Sequence, residues 1–151
     1  MAFRIRRIVT GHDGRGKAVV CMDSVIASRP GRFDPNTHIQ EYWQTDALPP
    51  TLDGPDAVAQ GTGVTPKSRG TIMRVLQIPP GSTGELHKTD TLDYFVVMDG
   101  EIEMTLDDGK SVPLRKGDTV VMRSTSHGWR NRGTKPCTLW EILIDATRQA
   151  A

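Results

Sequence analysis

Residues 81–100 read GSTGELHKTDTLDYFVVMDG, and their alternation decides the fold class. Successive side chains of a strand point to opposite faces, so a strand over Glu85–Thr89 places His87 and Thr89 together, and one over Leu92–Met98 aligns Asp93, Phe95 and Val97. Asp99-Gly100 then turns the chain into Glu101–Leu106. There Ile102, Met104 and Leu106 face one way and Glu101, Glu103 and Thr105 the other, giving one core face and one wet face.

The same reading extends in both directions. Asp108-Gly109 separates Glu101–Leu106 from Lys110–Leu114, and further strands are expected at Thr119–Arg123, His127–Asn131 and Thr138–Ile144, with Thr71–Ile78 upstream. Eight short strands after Gly70, with turn residues between them, predict an all-β double-stranded β-helix, or jelly-roll barrel, over residues 70–145. Towards the N-terminus, Asp13-Gly14 divides Phe3–Thr10 from Lys17–Ile26 as a β-hairpin extension. From Ser28 to Gly70 the pattern dissolves into Pro, Gly, Asp and Thr around one strand, His38–Thr45. Such a long irregular loop is a lid, a partner-binding arm or a plain connector; Asp46–Pro66 is the lid candidate. The tail, residues 146–151, is expected to form a helical turn or fray.

The chain has 151 residues, enough for one domain with residues 1–69 as an N-terminal extension. Its net charge is +1, and no segment concentrates Lys or Arg, which argues against nucleic acid as a partner. The basic start is not followed by a signal peptide's apolar run, and no stretch approaches the roughly 20 apolar residues that cross a bilayer. A soluble cytoplasmic protein without a membrane partner is expected. Cys21 and Cys137 lie in apolar strand-like settings without Cys-x-x-Cys spacing and are expected as buried, unbridged thiols.

The spacing from Gly81 through His87, Thr89 and Asp93 to Gly100 resembles the first motif of the cupins, G-x5-H-x-H-x3-4-E-x6-G, with Thr89 in place of the second His and Asp93 in place of the Glu. Downstream, Gly117, Asp118, His127 and Asn131 resemble the second motif, one residue shorter and lacking its Pro and inner Gly. The run His87-Lys-Thr-Asp-Thr-Leu-Asp93-Tyr and the run His127-Gly-Trp-Arg-Asn131 are also similar to a group of small bacterial and fungal cupins. The resemblance covers residues 70–145. It implies a cupin barrel, and a homodimer, which an open barrel with unpaired strand edges and an apolar N-terminal hairpin also favours. The fold hosts many activities, so function has to come from the site.

Two imidazoles and a carboxylate at interior parity on three strands, His87, Asp93 and His127, are the candidate ligands of a divalent metal, Fe, Zn, Mn or Ni. The alternative is a metal-free pocket in which the histidines are satisfied by hydrogen bonds to Asp93 and Thr89. Thr89, Phe95, Trp129 and Asn131 are expected to line the pocket. Arg74 is a charge inside an apolar strand that either snorkels outward or holds an anion, snorkelling being the default. Glu141 interrupts the last apolar strand as a further ligand, a proton carrier or the wet face of an edge strand. With Arg74 it completes the candidate catalytic set. Three functions follow: a metal-dependent enzyme that decarboxylates, dehydrates or isomerises a small carbonyl or carboxylate compound; a non-haem Fe(II) dioxygenase; or a metal-free small-molecule-binding or regulatory barrel.

Overall fold

A computed structural model of the chain describes residues 4–59 and 61–147. The strands are β1 (Arg6–His12), β2 (Ala18–Val25), β3 (Arg29–Pro30), β4 (His38–Thr45), β5 (Thr71–Ile78), β6 (Thr91–Asp99), β7 (Glu101–Leu106), β8 (Ser111–Arg115), β9 (Thr119–Arg123), β10 (His127–Arg130) and β11 (Cys137–Asp145). A six-stranded sheet, β3-β4-β5-β11-β6-β9, and a three-stranded sheet, β10-β7-β8, form the barrel. After β6 the chain passes back and forth between the two sheets, as a double-stranded β-helix requires. No described helix is long and apolar enough to cross a membrane.

The core is the period-two pattern made physical. Ile39, Leu76, Ile78, Phe95, Val97 and Leu139 from the large sheet meet Ile102, Met104, Leu114 and Trp129 from the small one, and all are buried. Asp99-Gly100 carries the chain from one sheet to the other. Gly100 has φ +79°, and a Cβ there would lie 2.7 Å from the Pro136 carbonyl oxygen, so the turn requires glycine. Strands β4, β5, β7 and β9 have the bounds expected from sequence. Glu85–Thr89 does not. It meets β10 through an isolated bridge between His87 and His127, just after Thr83 and Gly84 make their own contacts with Arg130 and Trp129.

The N-terminal hairpin β1–β2 forms its own two-stranded sheet. Arg7, 6% exposed, fastens it: its guanidinium donates to the Asp56 carboxylate at 2.6 and 2.8 Å and to the Tyr42 carbonyl at 3.3 Å. The Gln40 amide donates to the Ile26 carbonyl at 2.5 Å. Cys137 is buried as expected, but Cys21 is exposed. The register slips where Val9 pairs with Met22 and Thr10 with Val20, so Cys21 bulges out of a sheet whose outer face meets water. Of the C-terminal tail, residues 148–151 lie outside the described residues.

Candidate functional site

Two elements bring the imidazoles together. The His87 and His127 backbones exchange hydrogen bonds in both directions, each 2.9 Å, as an antiparallel pair does. Their rings therefore project on the same side, with centroids 4.5 Å apart. Ser124, at φ +51°, bends the chain between β9 and β10, and its amide donates to the Thr91 carbonyl at 3.0 Å. That left-handed residue starts β10 with His127 turned inward, at a cost of about 1 kcal/mol.

Each ring is oriented in the same way. His87 Nδ1 lies 3.0 Å from the Glu85 carbonyl oxygen and His127 Nδ1 lies 3.0 Å from the Thr125 carbonyl oxygen. A carbonyl accepts only, so each Nδ1 carries a proton, which leaves Nε2 as the ring nitrogen not tied to a carbonyl. Burial pushes the His127 pKa down to about 4, with His87 adding to the effect and the Thr125 carbonyl opposing it, so His127 is neutral at pH 7.

A cavity of about 70 Å³ adjoins the pair, lined by both imidazoles, Arg74, Glu141, Trp129 and Phe33 among others. An open groove of about 910 Å³ past Lys88, Asp90 and Arg123 is larger but contains neither imidazole. We place the site in the smaller cavity because it gathers both imidazoles and the buried Arg74–Glu141 pair.

Arg74 does not snorkel. It is 8% exposed, and its Nε donates to the Glu141 carboxylate at 2.5 Å across the β5–β11 ladder. Strand β11 lies between β5 and β6, so Glu141 is interior rather than on an edge. Glu41 is opposite Arg74 on β4 and pairs in turn with Arg29. Four charges of alternating sign thus cross the sheet. A second Arg74 nitrogen, Nη1, donates to the Val64 carbonyl at 3.2 Å.

Asp93 is 1% exposed, and its Oδ1 is buried without a hydrogen-bond partner. Burial raises its pKa to about 6; the hydroxyls of Thr91 and Thr89 and the charge of Arg74 pull it down, while Glu141 pushes it further up. Among the described residues no three His, Cys, Asp or Glu side chains are grouped as a metal shell. The donor set fits a metal as far as two imidazoles with free Nε2 atoms, and the orphaned Asp93 oxygen is the carboxylate available to join them.

The expected lining residues divide. Trp129 walls the cavity, and Phe95 packs edge-on against Trp129 and His127 at 5.1 and 6.3 Å. Thr89 is hydrogen-bonded to Thr91 at 2.7 Å. Asn131 is occupied in structure: its amide donates to the Ile78 and Lys135 carbonyls, each at 2.9 Å, and its oxygen accepts from the Gly133 amide. No described residue of Asp46–Pro66 lines the cavity; the wall comes from the earlier loop, including Gly31, Phe33 and Thr37. Sequence reasoning missed Phe33 because no periodicity marks GRFDPNT, although a lone aromatic in a polar loop is itself a signal.

Residues 74–144 match the Cupin_2 model, described as a cupin domain. The chain carries a cupin domain. Phomopsin biosynthesis cluster protein C' of Diaporthe leptostromiformis is 41% identical to it over 81 residues, which is 54% of this chain and 41% of that protein. The chain thus spans less than half the length of that relative. The cupin-domain-containing oxidoreductase fogC of Aspergillus ruber is 29% identical over 148 residues, covering 94% of this chain and 73% of that protein. Among solved structures, a Cupin 2 conserved barrel domain protein from Salinispora arenicola matches with TM-score 0.52 at 19% identity, over 76% of this chain and 81% of that one.

Proposed function

We propose that this cupin is an enzyme that moves protons on a compact carbonyl or carboxylate compound, in a decarboxylation, dehydration or isomerisation. The observation that carries the reading is the paired, tethered imidazoles beside a cavity floored by a buried guanidinium. Arg74 spends Nε on Glu141 and Nη1 on Val64, and its Nη2 has no hydrogen bond among the described residues, so it is the anchor for a substrate oxygen. His127 is neutral and presents a lone pair, and the His87 ring stands beside it at a centroid distance of 4.5 Å. With its pKa held near 4, His127 on its own is a weak base. An anionic substrate beside it favours the imidazolium and raises its proton affinity, which couples proton transfer to binding.

A second reading is favoured by the orphaned Asp93 oxygen and by the oxidoreductase name of the Aspergillus relative. In it His87, His127 and Asp93 hold a divalent metal, which supplies Lewis acidity or, as Fe(II), a site for dioxygen.

A panel of small 2-oxo and 3-oxo acids in D2O, followed by NMR for turnover and carbon-bound proton exchange, tests both. The acid–base reading expects activity that survives chelation and falls about 10²–10⁴-fold in His127→Ala. Activity that disappears with chelator and returns with Fe, Zn, Mn or Ni selects the metal reading. Tight binding of panel members without exchange or turnover marks a binding barrel.

A further inference from the structure

The cavity beside the imidazoles has room for about five water-sized groups, whereas pockets for ordinary ligands run to roughly 300–1,000 Å³. One aromatic ring of its wall lies against a site imidazole. Phe33 lies flat on His87, centroids 4.2 Å apart and planes 16° from parallel, and is 39% exposed on its other side. It therefore stands between the solvent and one face of the reacting pair.

The loop that carries Phe33 is braced from within. The Gly31 amide donates to the Thr37 carbonyl at 2.8 Å, and the Thr37 amide to the Asp34 carbonyl at 3.1 Å. The Asp34 carboxylate accepts from the Asn36 amide at 2.9 Å and from the Thr37 hydroxyl at 3.2 Å. A Cβ on Gly31 would lie 2.7 Å from the Asp34 carbonyl oxygen, so the turn closes on itself too tightly for another residue. A ring mounted on such a turn is a fixed wall.

We propose that Phe33 is the specificity-determining residue of this site: it caps the imidazole pair and restricts it to compact, non-aromatic carbonyl or carboxylate compounds. This rests on the imidazole pair being the reacting centre, but the test measures access and not turnover, so a failed cap and a failed reading of the function are told apart.

Diethyl pyrocarbonate, which acylates neutral imidazole and is itself too large for the cavity, is the probe, with each histidine followed by peptide mass mapping. Exposed His12 and His38 serve as internal references. In Phe33→Ala the modification of His127 is expected to accelerate about tenfold or more relative to the references, because the route no longer waits for a local opening. Phe33→Tyr keeps the stack and should match the unaltered protein. A Phe33→Ala rate equal to that of the unaltered protein overturns the proposal. So does an equal acceleration in Phe33→Tyr, or one accompanied by faster amide exchange through β6 and β11, which would mean that the barrel itself had loosened.

Discussion

The two loops of the N-terminal half differ in the opposite sense from their lengths. The segment 46–66 is long and rich in turn residues, yet it supplies no described wall to the cavity and is held from outside by Arg7 on Asp56, Gln44 on the Ala57 carbonyl and Arg74 on the Val64 carbonyl. The turn 31–37 is short, holds itself together through Asp34, and puts an aromatic ring on a site imidazole. Proximity to the site follows from which strands a loop joins. The short turn links β3 to β4 at the sheet edge beside His87, whereas the long one returns from β4 to β5 and meets the barrel through the back of Arg74.

The largest expected effect breaks the group that ties the long loop to the cavity floor. Arg74→Ala removes the Glu141 ion pair and the Val64 tether together, and it leaves a carboxylate 3% exposed without its cation. A loss of about 3–5 kcal/mol in urea unfolding is expected. Arg74→Met with Glu141→Leu should recover most of it, since an apolar pair needs no compensation. A double variant no better than the single one would refute the account of the floor.

Next comes a change that touches neither loop. The Asp93 carboxyl, raised to about 6, binds its proton more tightly in the folded chain than in the unfolded one. Its contribution to stability is present at low pH and lost as pH rises through about 6. His127, lowered to about 4, works the other way: its contribution is present above its ordinary value and lost as pH falls through about 4. Asp93→Asn should therefore raise stability by about 2 kcal/mol at pH 7–8 and make no difference near pH 3, leaving a profile that falls with acid through His127 and the carboxyls held low by hydrogen bonds, Asp34 and Asp56 among them. A constant offset at every pH would show that packing and not ionisation sets the effect. Access to both loops by protease should be unchanged.

The smallest effects sharpen the contrast most. Arg7→Ala should cost about 2 kcal/mol and speed proteolysis near Asp56 without altering the acylation rate of His127. Asp34→Ala should cost about 1 kcal/mol and do the reverse. If both variants expose His127 equally, the two loops move as one unit and the distinction between them fails.

Much of the fold was legible because burial on one face imposes a period of two on the sequence. Ile102 and Met104 are inside and Glu101 outside, as alternation requires. Asp93, Phe95 and Val97 share the interior, and so do His127, Trp129 and Asn131. Parity tells which face a side chain takes but not what it meets there. Asn131 has interior parity and is consumed by the carbonyls of Ile78 and Lys135. Arg74 has interior parity too, and the default of snorkelling failed because Glu141 lies directly across the ladder, a partner 67 residues away.

By itself, the sequence determined the strand pattern, the turn glycines and the cupin resemblance, because each depends on neighbours a few residues apart. It also named His87 and His127 as a pair, through motif spacing. Only the tertiary structure decided that the Asp93 Oδ1 is buried without a partner, that Arg74 and Glu141 neutralise one another, and that Phe33 rather than the long loop lines the cavity against His87. Those outcomes depend on register between strands distant in sequence and on how a turn without periodicity folds against them, and neither leaves a mark in the local order of residues.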